Sequence, residues 1–278
     1  MKIREISGQV RGQRAVDGAG VRLVRVLGYR EAEAFDPFLM LDSFDSANPE
    51  DYLPGFPMHP HRGIETITYL ISGRIDHEDT LGNKGSIRSG ECQWMTAGSG
   101  IMHQEMPQEA ERMLGFQLWL NLPRKEKMTE PAYCSLTREM ISKTKAGKAE
   151  INVLSGRFGE TEGLTPRHIP ASIFDISLPK GEEITIPTQP DETVFVFLIE
   201  GSGDINGQAI AAKTAVLFGE GDYIKVSAQP ASALRFIFFS GKALHEPIAW
   251  GGPIVMNTDA ELRLAFRELQ NGNFIEHG

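Results

Sequence analysis

The sequence predicts an all-β chain built from a duplicated barrel, and three observations predict it. Short strand-like pieces recur along the chain, among them Val21–Leu27, Glu65–Ile71, Gly115–Leu122, Ser172–Leu178, Thr193–Ile199 and Leu234–Phe239. Glycine (29 residues) and proline (16) fall in small clusters between these pieces, the punctuation expected of a sandwich or barrel. Finally, Glu65–Gly73 (ETITYLISG) resembles Glu192–Gly201 (ETVFVFLIEG), each running acidic residue, threonine, apolar strand, glycine, at about the same distance into each half.

The connecting elements follow. Ser72-Gly73 and Asn206-Gly207 suit tight turns, because glycine and asparagine accept the positive φ that such turns require. Thr258 to Glu261 fits a capping box, Leu262, Ala265, Phe266 and Leu269 then recur at helical spacing, and Gly272 can end the run. This predicts a short C-terminal helix packed on a barrel in preference to a partner-binding helix. The polar stretch Ser142–Glu150 is the expected boundary, giving an N-terminal domain over 1–142 and a C-terminal domain over 143–278.

Composition sets limits. A chain of 278 residues suits two domains of roughly 100–200 residues each. Its 41% hydrophobic and 23% charged residues supply two ordinary cores. The net charge of -9, with no Lys/Arg run, argues against direct nucleic-acid binding. The two cysteines, Cys92 and Cys134, form no C-x-x-C pair, which disfavours a disulfide scaffold or a cysteine zinc site. Met1–Gln9 has no apolar signal-peptide core, and the longest apolar run, around Val194–Ile199, falls far short of the ~18 residues of a membrane helix. The expectation is a cytoplasmic protein without a membrane span.

Chemistry concentrates in two motifs, Phe56-Pro-Met-His59-Pro-His61-Arg-Gly-Ile-Glu65 and Met95-Thr-Ala-Gly-Ser-Gly-Ile-Met-His103-Gln-Glu105. Strand residues two apart share a face, so His59 and His61 can point inward together, as can His103 and Glu105. If the two strands face each other across the barrel, four donors converge. Imidazole nitrogens with one carboxylate suit iron, copper, nickel, manganese or zinc, with coordination positions left for water, dioxygen or substrate. One His-x-His is weak evidence, and the second paired motif strengthens it. The competing reading is a set of polar residues lining a wet cavity, which costs several hydrogen bonds if no ion binds. Glu65 shares the parity of His59 and His61, so alternation does not choose between Glu65 and Glu105, and Glu65 can instead orient a histidine. His77, His168, His245 and His277 are isolated in the sequence and read as surface or hydrogen-bonded residues.

Asp36–Asp42 (DPFLMLD), the His-Pro-His-Arg-Gly-Ile-Glu-Thr string, Gln93–Pro107, Glu246-Pro247 and Gly252–Thr258 together resemble the pirin family. The resemblance spans nearly the whole chain. It implies a bicupin, two antiparallel double-stranded β-helix (jelly-roll) barrels, with one metal in the N-terminal barrel on His59, His61, His103 and Glu105. Glu65 is then not a ligand. It implies Fe(II) first, with Ni, Cu, Mn, Co or Zn as alternatives. The C-terminal barrel is expected to lack ligands, since matching Glu192 to Glu65 puts Ile186 and Thr188 where His59 and His61 sit. Pirins are similar to quercetin 2,3-dioxygenases, which implies a flavonol and O2 as substrates and Glu105 as general base. Phe56, Met58, Trp94, Met95, Ile101 and Met102 are the expected apolar walls. The alternative that the resemblance offers is a metal- and redox-dependent regulator of the transcription-cofactor kind, binding a protein partner.

Overall fold

The computed structural model describes residues 1–276, so His277 lies outside the described residues. The chain forms two compact units, one comprising 1–13 and 139–243 and the other 14–138 and 244–278. Sequence patterning marks one passage between domains, after residue 142; the chain makes three, after Gln13, Arg138 and Ala243. The added passages involve the chain ends, whose partners are long-range and leave no local signature. Ile6–Arg11 pairs antiparallel with Thr214–Phe218, and the segment from Leu244 onward carries a small hairpin and the only α-helix among the described residues.

Each unit repeats one plan, a seven-stranded antiparallel sheet with a four-stranded one. In the unit of 14–138 and 244–278 the larger sheet runs Ala132–Leu136, Glu91–Thr96, Ile64–Ser72, Met113–Asn121, Phe38–Ser46, Val21–Leu27, Gln13–Asp17. The smaller runs Phe56–His61, Ile101–Gln108, Arg74–Asp79, Lys84–Arg88. The other unit repeats the count with Glu192–Glu200 as the third strand of its large sheet, so the two related segments do occupy matching places. Asn206 (φ 53°) and Gly207 (φ 77°) form the tight turn between Gly203–Ile205 and Gln208–Ile210, where both central residues need positive φ.

The helix spans Asp259–Asn271, with Thr258 Oγ1 accepting from the Glu261 amide, Glu261 accepting in return, and Gly272 closing it at φ 75°. Its apolar stripe around Ala265 packs on Ile254 and Met256 of the adjoining two-stranded hairpin, where a helix laid on a barrel was expected. No helix among the described residues is long and apolar enough to cross a membrane.

The interiors differ. The barrel of 139–243 is filled with apolar side chains, including Ile186, Val194, Val196 and the stacked pair Phe174–Phe238, 5.1 Å between centroids. The other barrel carries a polar row across its large sheet. Strand register places Arg25, Asp42, Gln117, Thr68 and Gln93 side by side on successive strands. Apolar clusters around Phe44 and Leu70 and around Met40, Met95 and Trp119 complete that core.

Candidate metal centre

His59 and His61 lie on the strand Phe56–His61, and His103 and Glu105 on Ile101–Gln108. These strands do not face each other across the barrel, as the sequence reading supposed. They are antiparallel neighbours in one sheet, with His103 opposite His59 and Ile101 opposite His61. Directly opposed residues share a face with their Cβ atoms roughly 5 Å apart, so register alone gathers three imidazoles. The ring centroids stand 4.5 Å (His59–His103), 4.8 Å (His59–His61) and 5.1 Å (His61–His103) apart. One nitrogen from each ring lies within 4.8 Å of the other two.

Hydrogen bonding fixes the tautomers. A carbonyl oxygen only accepts, so Nδ1–H of His59 donates to the Pro57 carbonyl (2.9 Å) and Nδ1–H of His61 to the Pro253 carbonyl (3.2 Å). Both Nε2 atoms then carry lone pairs, and they stand 3.1 Å apart. Two facing acceptors are favourable only with a cation between them. His103 is 1% exposed, and neither of its ring nitrogens has a protein partner, a loss of buried hydrogen bonds that a coordinated ion offsets. His61 and His103 resist protonation. Burial pushes His61 down to about 3, with neighbouring His59 acting the same way and the Pro253 carbonyl opposing it. His103 is held well below the usual range by burial, then by His61, His59 and His77. Neutral imidazoles are the ligating form, and the donor set fits a first-row transition ion.

The two glutamates take separate places. Glu105, 2% exposed, accepts at Oε1 from Thr68 Oγ1 (3.1 Å) and at Oε2 from Gln117 Nε2 (2.7 Å). Gln117 is itself oriented by Trp119 Nε1–H, 3.2 Å from its Oε1. The pairing of the two short strands shifts by one residue between His103 and Glu105, and Glu105 stands outside the three-nitrogen cluster. Glu65 is also outside it and accepts from Thr96 Oγ1 (2.7 Å). Its parity with His61 fails because Arg62 and Gly63 (φ 77°) interrupt the strand, and Glu65 lies on a strand of the other sheet, Ile64–Ser72.

His77, isolated in the sequence, lies across from Glu105 on the neighbouring strand and stacks on Tyr133, 5.9 Å between centroids. Burial lowers its pKa, and Glu105 and Asp79 oppose that. Its signal was a face shared with Asp79 two residues on, visible only once the strand pairing is known.

A cleft of about 640 Å³ opens onto His59 and His61. Of the six apolar residues expected to wall it, Phe56 alone lines it. Met58 projects outward at 41% exposure, while Met95 and Ile101 are buried in the apolar cluster that includes Trp119. The walls come from Tyr29, Met40, Phe44, Trp119 and Trp250, with the ion pair Arg25–Asp42 and Asp17 on one side. Trp119 packs edge-on against His61 at 5.0 Å and lies 5.9 Å from Trp250.

The C-terminal return segment braces the site. Val255 N–H donates to the Arg62 carbonyl (3.1 Å). Buried Lys127 Nζ donates to the Gly63 and Val255 carbonyls, both at 2.8 Å, and to Asn121 Oδ1. A Cβ at Gly63 would stand 2.0 Å from the Val255 oxygen, so only glycine lets these backbones approach. Arg62 reaches on to Glu268 and the Phe274 carbonyl (2.8 Å), its guanidinium 4.3 Å above the Phe274 ring. The hairpin so anchored carries the Pro253 carbonyl that orients His61.

Two barrels of one plan, one filled and one holding a histidine cluster behind an aromatic cleft, define a two-domain cupin. A family model described as Pirin matches residues 20–120, and one described as Pirin C-terminal cupin domain matches residues 173–275. The chain belongs to the pirin family. It is 41% identical to a pirin-like protein of Caulobacter vibrioides across 99% of this chain and 100% of that one. It is 37% identical to a pirin-like protein of Solanum lycopersicum across 94% of this chain and 89% of that one. A crystal structure of quercetin 2,3-dioxygenase from Acinetobacter baumannii superposes with a TM-score of 0.90 at 29% identity, covering 98% of each chain.

Proposed function

We propose that this protein is a metal-dependent dioxygenase acting on a flavonol such as quercetin. The flavonol and O2 become a ring-opened ester one carbon shorter and carbon monoxide, so atoms balance without an external reductant. The carrying observation is the cluster of three imidazoles, with unpartnered His103 nitrogens, beside an aromatic-walled cleft. The likeness to the Acinetobacter baumannii quercetin 2,3-dioxygenase structure supports the choice of substrate.

His59, His61 and His103 would hold the ion, with Glu105 as the fourth ligand on the face it shares with His103. Fe(II) is the proposed metal, and other first-row divalent ions suit the same donors. Bound there, the ion supplies positive charge that favours the deprotonated 3-hydroxyl and a redox-capable centre for O2. Glu105 takes the 3-hydroxyl proton, and Thr68 and Gln117 hold its two oxygens in place for that transfer. Trp119 and Trp250 bind the flat ring system and keep water from the reacting end.

The test is an aerobic assay of the protein loaded with each candidate metal in turn. Loss of quercetin's near-ultraviolet band with release of carbon monoxide is expected for at least one ion. No turnover with any of them would overturn the proposal.

A further inference from the structure

Arg25 sits on the wall of the same cleft as His59 and His61 and is fixed from two sides. Its Nε donates to Asp42 Oδ1 (2.9 Å), and its Nη2 donates to Asp42 Oδ2 (2.7 Å) and Asp17 Oδ2 (2.6 Å). Among the described residues no acceptor meets Nη1, and the side chain remains 36% exposed. Asp42 is buried and Asp17 half open, at 5% and 48% side-chain exposure. Burial works against ionisation of Asp17, but hydrogen bonds from Arg25 and the Gly18 amide outweigh it, and His59 acts in the same direction. The cleft therefore presents, on the wall formed by Arg25, a fixed N–H donor beside a carboxylate acceptor.

A hydroxyl group is the ligand that satisfies both, accepting from Nη1 and donating to Asp17. A carboxylate or phosphate would meet two aspartates balanced by one guanidinium and be repelled. An unsubstituted ring edge would displace water from Arg25 Nη1 and offer it no acceptor in exchange. We propose that Arg25 and Asp17 determine specificity by reading a phenolic hydroxyl of the substrate other than the 3-hydroxyl. The site then prefers polyhydroxylated flavonols over those bearing only the 3-hydroxyl. This deepens the dioxygenase reading and rests on it.

The experiment compares quercetin with 3-hydroxyflavone on the metal-loaded enzyme. A site built around a substrate hydroxyl discriminates against its absence; for a half-open pair a preference of roughly 10–100-fold in kcat/KM is expected, carried mainly by KM. Arg25→Met should lower that ratio toward one. Because this variant strands the buried Asp42, Asp17→Asn is the second variant. It leaves the Arg25–Asp42 pair intact and should also shrink the ratio by raising the KM for quercetin. Equal KM values for the two flavonols in the wild type, or a ratio that survives both substitutions, would overturn the assignment while leaving the dioxygenase activity standing. Failure of both flavonols to turn over with any metal would remove the dioxygenase reading, and the assignment with it.

Discussion

His103 stands across from His59 on the neighbouring strand, ring centroids 4.5 Å apart, and neither of its nitrogens finds a partner in the protein. In the metal-free protein this is a standing cost, since a buried polar group left unpaired destabilises by roughly 1–3 kcal/mol. His103→Leu should therefore leave the metal-free protein as stable as the wild type or more so. It should also abolish stabilisation by metal, which for the wild type is about 2.7 kcal/mol at a hundredfold excess over Kd. Thermal unfolding with and without metal measures both. A His103→Leu protein that is much less stable without metal would mean that this ring serves the fold.

The acid response follows from His61. Its pKa falls from 6.5 unfolded to about 3 folded, so the unfolded chain binds the extra proton between these values. The stability it contributes is present above pH 6.5 and is lost as the pH falls toward 3, on the order of 4–5 kcal/mol in all. His103 adds in the same direction. Denaturant unfolding of metal-free protein across pH 3–7 should show this steep loss. His61→Phe should flatten it.

Gln117 and Thr68 hold the Glu105 carboxylate at 2.7 Å and 3.1 Å. Gln117→Leu removes one donor and leaves a buried carboxylate oxygen unpaired. The expected result is a 10–100-fold loss of kcat/KM in flavonol turnover, with a larger share in kcat than in KM, because the carboxylate acts in proton transfer. A change confined to KM would contradict this role.

Lys127 ties Gly63, Asn121 and Val255 together. Lys127→Met takes a donor from three acceptors, of which the Gly63 oxygen keeps the Leu122 amide, and should destabilise the protein by about 2–4 kcal/mol. It also loosens the hairpin whose Pro253 carbonyl orients His61, so metal affinity should fall about tenfold or more. Calorimetric titration of folded protein reads the second effect separately from the first.

The sequence revealed whatever depends on local spacing. His59 and His61 share a face because they are two apart, and the Thr258 capping box and Gly272 bounded the helix. Pairing between distant strands was not legible. Parity placed Glu65 with His61, but the turn at Gly63 breaks the strand between them. Arg25, Asp42, Gln117 and Thr68 are scattered polar residues in the sequence and neighbours only through register. The brace from Val255 and Pro253 was hidden for the same reason. A chain end returning to the other unit leaves no periodic trace.

X-ray absorption on the metal-loaded protein tests the central claim most directly. The account predicts one ion per chain bound by three imidazole nitrogens at about 2.1 Å, a usual metal–imidazole distance. It also predicts that this signal disappears in the His59→Ala/His103→Ala double variant. An ion held without imidazole scattering, or one retained unchanged in the double variant, would contradict it.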